Sequence, residues 1–521
     1  MRTKITADKV KLWLADNKEI AFIDLREISQ HSDGHPFFSI SIPYSIFELK
    51  LGELVPNKKT RLILIDNNNE ISSYASDKAV SLGYLNIYVV EGGISGWTRE
   101  GFSLFDGINV PSKSFGELIE KEYHTPSITA KELHQKQSKN ENYVVIDGRP
   151  FDEYTKMSIP KSICCPNAEL ALRVPFYVND NNTEIIINCA GRTRSIIGAQ
   201  TLIEFGIKNT VKALENGTQG WFLSDLSLDN NKDKMLDILP NDLEIKKLQE
   251  KALNLIDKNN IKVIEISQAQ QLIDDTNTST FVFNVTNTLG EKTVNEIPNV
   301  PGGQLVQATD KYIGVWNSNV ILIDDGDLIR AGSTAMWLKK MNFNVYVLKN
   351  GILKASKLKL IQRHYHKKET LDTLNINDLI TIKNCIFFDI RPSKDYLNVR
   401  LKNSLWLNRS EVFKNNIYEN DNIIIITDDL KKAFLIIKDI QDQNKNCRIQ
   451  VYKWSKYDLV KQPDLFDRSI KKMDREKRID FNFHTYMRHA GNKKHAKQYL
   501  KWEIDLVKKM DQEEIDFFKI F

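Results

Sequence analysis

The chain has 521 residues, 41% of them apolar and 27% charged, which is too long for one hydrophobic core and excludes a fibrous or disordered protein. A net charge of +5 over that length gives no electrostatic case for nucleic acid or a membrane surface as main partner. No apolar run long enough to span a bilayer occurs, and the opening MRTKITADKVKLWLADNKE lacks the apolar core and cleavage site of a leader, so the expectation is a soluble, cytoplasmic protein.

In chain order, the predicted elements repeat. Four segments share one plan: an apolar strand ending in an acidic or amide residue, a long connection, a second apolar strand, a helix, a third strand and a Gly-containing turn. AFIDLRE (21–27), VVIDGRP (144–150), FVFNVTN (281–287) and IFFDIRP (386–392) open them. The second strands are LILID (62–66), IIINC (185–189), VILID, which ends at Asp324 or Asp325 according to register, and IIIIT (423–427). The first two copies keep strict spacing, since Asp24 to Asp66 and Asp147 to Cys189 are each 42 residues. VVEGGISGW (89–97) and ALENGTQGW (213–221) close them; VLKNGILKA (347–355) and VYKWSKYD (451–458) are worn versions.

Continuous Val/Ile/Leu runs alternating with helical stretches such as SIIGAQTLIEFG (195–206) predict parallel strands buried on both faces. The expected fold class is therefore α/β, with tandem domains that are each a small, open, mostly parallel sheet flanked by helices. The boundaries read 1–110, 126–226, 262–357 and 370–465, with polar linkers around 108–125, 226–262 and 358–371. Residues 466–521 read as a charged helical extension, with Tyr499, Leu500, Trp502, Ile504 and Leu506 set among Lys and Glu and expected to pack on another domain.

The five cysteines, Cys164, Cys165, Cys189, Cys385 and Cys447, are too few and too irregular for a disulfide framework, and no Cys/His ligand spacing predicts a metal. His484, His489 and His495 lie in a Lys-rich stretch and read as part of a solvated basic face. Cys189 stands apart. In IIINCAGRTRSIIGAQ (185–200) an apolar strand runs into a cysteine, a small polar loop with two arginines, and a helix. At the carboxyl end of a strand in an open α/β sheet, such a loop aims main-chain N–H groups and a helix N-terminus at one point. There a thiol that ordinarily titrates near 8.5 is lowered to roughly 3.5–7.5. A cysteine alone would read as a small apolar filler; the Gly-Arg context makes Cys189 a nucleophile, and Arg192 and Arg194 forks suited to an oxyanion.

These residues resemble the rhodanese sulfurtransferases, over nearly the whole chain as four modules and most strongly across 126–225. VVIDGRPFDEY (144–154) is similar to the family's Asp-x-Arg entry, SIPKSICCPNAEL (158–170) to its Ile-Pro connection, CAGRTRS (189–195) to its active-site loop and ALENGTQGW to its Gly-Gly-x-x-x-Trp close, with Asn216 in the first Gly position. The resemblance implies that Cys189 carries sulfane sulfur as a persulfide, without metal or organic cofactor. The N–H groups of Ala190, Gly191, Arg192, Thr193, Arg194 and Ser195 would stabilise it, and the side chains of Arg192 and Arg194 would hold the donor. Arg173 is expected to reach the loop from the preceding segment, and Asp147 with Arg149 to form a structural ion pair.

The implied partners are a small anionic sulfur donor such as thiosulfate and a thiol or cyanide acceptor, with a protein sulfur acceptor as a further candidate and no nucleic acid or membrane. Asp66, Asp324 and Thr427 stand at the cysteine position of the other modules, which are therefore expected to be inactive. Cysteine phosphatases of this fold place an arginine after five intervening residues, where this chain has Ser195, which argues against them. The second functional class is a binding or regulatory scaffold with little catalysis, favoured by the size of the inactive remainder.

Overall fold

The computed structural model describes residues 3–286, 296–360, 371–420, 422–484 and 492–520. His489 and most of the expected 358–371 linker lie outside the described residues. Each module builds a parallel sheet. In the second, the strands run from edge to edge as Ser127–Ile128, Val211–Leu214, Glu184–Asn188, Tyr143–Asp147 and Ile163–Cys164. The first module has the same order in five strands, and the third has it in four, from Lys262–Ile264 to Thr280–Asn284. The fourth again has five, with Leu405–Trp406 at the far edge.

The unbroken isoleucine runs follow from this layering. Ile185 and Ile187 enter one apolar cluster with Leu170, Ala199 and Leu202, while Ile186 enters the opposite one with Leu133, Leu214 and Trp221. Both faces are covered by helices, so every interior position of the strand is apolar. Ile423 and Ile425 divide from Ile424 and Ile426 in the same way in the fourth module. Burying each such side chain contributes about 1.5–3 kcal/mol.

The chain divides into two compact units that chain order does not suggest. One gathers the described parts of 1–10, 22–108 and 363–486, and thus joins the first module to the fourth. The other gathers 11–21, 109–362 and 487–521, and joins the second to the third. Within the first unit, the buried Arg409 guanidinium bonds Glu48 at 2.6 and 2.8 Å and Asp439 at 2.7 and 3.1 Å. Within the second, Arg330 donates to both oxygens of Glu169, at 2.6 and 2.9 Å, and Trp337 Nε1 donates to Thr201 Oγ1 at 2.8 Å.

Three stretches depart from expectation. The linker at 108–125 is a helix, Val110–Tyr123, whose Val110, Phe115, Leu118 and Ile119 are buried; spaced as i, i+5, i+8 and i+9, they form an apolar stripe that the surrounding charge conceals. The linker at 226–262 contains the helix Asp242–Lys258, capped by Asn241. The extension 466–521 is not wholly helical. Phe466–Asp467 pairs antiparallel with Arg400–Leu401 of the fourth module, and the helices Lys493–Lys509 and Gln512–Asp516 follow later in the extension. Among the described residues no helix is long and apolar enough to cross a membrane.

Candidate active site around Cys189

The strand Glu184–Asn188 delivers Cys189 to its carboxyl end, beside the end of Tyr143–Asp147. Below it, Asp147 accepts from Arg149 Nε and Nη2, both at 2.8 Å, and from Asn188 Nδ2 at 2.8 Å, while Arg149 Nη2 also donates to Met157 O. The same bidentate pair recurs as Asp24–Arg26 and Asp389–Arg391, and each arginine donates to the carbonyl eight residues on, Gly34 or Val399. It ties the strand end to the following loop in three modules.

The turn that closes each module packs on the loop. Gly217 has φ +53°, and a Cβ there would lie 2.2 Å from Cys189 O; Gly93 and Gly351 stand equally close to Asp66 O and Asp324 O. The next residue donates its N–H to that carbonyl at 2.8 Å in all three: Thr218 to Cys189, Ile94 to Asp66 and Ile352 to Asp324. Glycine is therefore required by close approach as well as by φ. Asn216 adopts φ +60° in the position of Gly92, as asparagine can.

The helix Thr193–Glu204 begins inside the loop. Cys189 is 2% exposed, and Ser195 Oγ donates to its sulfur at 3.0 Å. Arg194 lies close enough for its charge to feel the thiol; burial works against that charge, but Glu153 first, then Cys189, hold the guanidinium ionised. Its two terminal nitrogens bond Glu153 at 2.9 and 2.8 Å. Arg192 is clasped by Glu117, at 2.8 and 2.9 Å, and by Glu120. Burial pushes the Glu117 carboxyl up to about 7, with Glu503 and Glu120 adding to the rise and Arg192 opposing it.

Of the expected site residues, Ser195 contacts the Cys189 sulfur, Ala190 to Arg194 make up the loop between the two, and Arg173 lies elsewhere. The Arg173 guanidinium bonds Glu169, Asp237 and the carbonyls of Leu236 and Ile238, all outside the loop. The expected reach of Arg173 to the loop is thus corrected: Glu169, four residues back on the same helical stretch, captures it. Arg192 and Arg194 are at the loop but already paired with carboxylates. Cys164 takes no part. Burial pushes its thiol up to about 12, and the strand Tyr143–Asp147 intervenes between it and the Cys189 strand, about 9–10 Å across.

Glu117, Glu120, Glu153, Lys113 and Glu503 belong to the surroundings of the loop and are not among the predicted residues. One has a readable signal. On the helix Lys493–Lys509 the buried residues are Ala496, Tyr499, Leu500, Glu503 and Leu506, so Glu503 is a charge within the apolar stripe.

The other modules show what the loop is built to hold. The Asp66 carboxylate accepts N–H bonds from Asn69 at 2.7 Å, Ile71 at 2.7 Å and Ser72 at 3.1 Å. Asp324, not Asp325, occupies the position in the third module and accepts from Gly326 and Ala331 at 2.9 and 3.0 Å. In the fourth, Thr427 Oγ1 accepts from Asp429 N–H at 3.0 Å. The loop is a cradle of N–H donors that the side chain at the cysteine position fills in two modules, although burial and Asp327 push the Asp324 carboxyl up to about 7.

The family model described as Rhodanese-like domain matches residues 6–100 and 129–224. A crystal structure of thiosulfate sulfurtransferase from Pseudomonas aeruginosa is similar over 100% of this chain and 99% of its own, at 28% identity and a TM-score of 0.87. A rhodanese-related protein from Thermoplasma volcanium is 26% identical over 20% of this chain and 97% of its own, with a TM-score of 0.18. No curated protein sequence matches the chain.

Proposed function

We propose that this chain, which belongs to the rhodanese-like sulfurtransferase family, moves sulfane sulfur through a persulfide on Cys189. The observation that carries the reading is the substitution within one cradle: where Asp66 presents a carboxylate to three N–H groups, the second module presents a sulfur. With thiosulfate as donor, the Cys189 thiolate attacks the outer sulfur, the S–S bond breaks, and sulfite leaves with its electron pair. The cysteine then carries –S–S⁻, and the total charge is unchanged. A cyanide or thiolate acceptor attacks the terminal sulfur, takes it as thiocyanate or a persulfide, and returns the Cys189 thiolate. No metal or organic cofactor enters either step.

In this reading the N–H groups from Ala190 to Ser195 and the Ser195 hydroxyl stabilise the sulfur anion, and Arg194 supplies positive charge beside it. Arg192 and Arg194 hold an anionic donor by exchanging a carboxylate partner for it. A protein thiol is a further candidate acceptor, and a reducing compartment such as the cytoplasm keeps Cys189 reactive. The test is intact-protein mass spectrometry after exposure to thiosulfate and to low-molecular-weight persulfides. The expected result is a gain of one sulfur atom that maps to Cys189, is discharged by cyanide and is absent in Cys189→Ser. A folded protein that gains no sulfur from any donor would sink the proposal in favour of the scaffold.

A further inference from the structure

The cradle in the first and third modules is stapled from within, because the carboxylate of Asp66 or Asp324 bonds the loop's own N–H groups. A thiol at Cys189 provides no such carboxylate. The second module's loop is gripped from outside instead. Glu503, fully buried on the helix Lys493–Lys509, accepts from Lys113 Nζ at 2.9 Å, from Tyr499 Oη at 2.9 Å and from Thr193 Oγ1 at 3.5 Å. Lys113 Nζ also reaches Thr193 Oγ1 at 3.4 Å. Gly191 lies directly beneath, so that a Cβ there would stand 2.9 Å from Glu503 Oε2 and 3.4 Å from the Tyr499 ring. Gly116 lets the helix Val110–Tyr123 close on Thr193 from the other side; a Cβ on it would meet Thr193 Cγ2 at 2.7 Å. Gly191 and Thr193 flank Arg192, which Glu117 and Glu120 fix in turn.

We propose that Glu503 is a positioning residue for Cys189: the C-terminal helix clamps the loop through Gly191 and Thr193 and so replaces the internal carboxylate staple of the first and third modules. This rests on Cys189 being the sulfur carrier, and it gives the C-terminal extension a role in the reaction. Glu503 itself touches neither the thiol nor a substrate. It acts on the aim of the loop N–H groups, where small displacements are costly in rate.

The experiment uses the full chain and two readouts, steady-state transfer from thiosulfate to cyanide and the rate of Cys189 alkylation by iodoacetamide at neutral pH. Glu503→Ala is expected to lower kcat and the alkylation rate roughly tenfold, with KM for thiosulfate within about threefold of wild type. Glu503→Gln, which keeps an acceptor oxygen for Thr193 and Tyr499, is expected to restore most of both. Thr193→Val should lower both severalfold and add little on top of Glu503→Ala, because the two act through one contact. A Glu503→Ala protein whose melting temperature falls while kcat and alkylation stay within about twofold would overturn the proposal, as would effects of Glu503→Ala and Thr193→Val that simply multiply. If Glu503→Ala does not fold, Thr193→Val decides, and unchanged kcat and alkylation in that variant overturn the clamp. If wild type itself transfers no sulfur, the sulfurtransferase reading falls, while the alkylation arm still tests the clamp.

Discussion

Ser195 Oγ lies 3.0 Å from the Cys189 sulfur and donates to it from the first turn of the helix Thr193–Glu204. The hydroxyl is fully buried, so it competes with no water for that acceptor. A hydrogen bond to a charged acceptor contributes about 1.5–3 kcal/mol. Ser195→Ala is therefore predicted to slow Cys189 alkylation at neutral pH by roughly tenfold or more, and kcat/KM for sulfur transfer by a similar factor. Far-ultraviolet circular dichroism should be unchanged. An alanine variant that alkylates at the wild-type rate would remove Ser195 from the site.

Asp66 supplies the complementary case. Removing its carboxylate leaves the N–H groups of Asn69, Ile71 and Ser72 without their acceptor in a loop whose Asp66 is 3% exposed. Asp66→Ala is predicted to destabilise the first module by on the order of 2–4 kcal/mol. Chemical denaturation should show the loss as a lower midpoint. Sulfur transfer per folded molecule should stay at the wild-type level, because the first module carries no sulfur. A large fall in kcat without unfolding would instead tie the first module to the reaction.

The repeated parts of this fold are legible because each is written more than once. The Asp-x-Arg pairs, the strand-end cradle and the closing glycine recur at fixed spacing, and parallel strands follow from apolar runs without alternation. What stays hidden depends on partners far apart in sequence. Arg409 meets Glu48 across 361 residues, so no local pattern could pair the first module with the fourth. The expected anion-holding roles of Arg192 and Arg194 rest on the loop alone, while Glu117 and Glu120 sit on a helix that reads as a linker and Glu153 lies near the entry strand. Glu503 is readable as a charge in an apolar stripe, though its target is not.

Glu117 links the site to pH. Burial, reinforced by Glu503 and Glu120 and opposed by Arg192, raises its carboxyl from 4.5 to about 7. An acid raised in this way binds its proton more tightly when folded, so its ionisation costs stability; the contribution falls as pH rises from the unfolded value through about 7. The effect is on the order of 3 kcal/mol across that window. Glu117→Gln is predicted to flatten the decline of melting temperature between pH 5 and pH 7 relative to wild type. It also loosens the clasp on Arg192 and should lower KM for thiosulfate at pH 8 by about twofold to fivefold, with less change in kcat. Parallel Tm–pH curves for the two proteins would refute the first statement, and an unchanged or higher KM the second.

Two glycines of the second module separate backbone strain from close packing. Gly206 has φ +74° with nothing within 4 Å of where a Cβ would stand, whereas Gly217 has φ +53° and would set a Cβ 2.2 Å from Cys189 O and 2.9 Å from Gly191 O. Alanine at Gly206 meets only the left-handed conformation, at a cost of about 1–2 kcal/mol. Alanine at Gly217 meets the same strain and must also push the closing turn away from the carbonyl of Cys189, which breaks the Thr218 N–H bond to Cys189 O at 2.8 Å. The prediction is that Gly217→Ala exceeds Gly206→Ala by at least about 2 kcal/mol in denaturation and cuts kcat by more than about tenfold. Gly206→Ala should keep wild-type kcat. Equal losses of stability, or full activity in a folded Gly217→Ala protein, would mean that the loop does not depend on this contact for its shape.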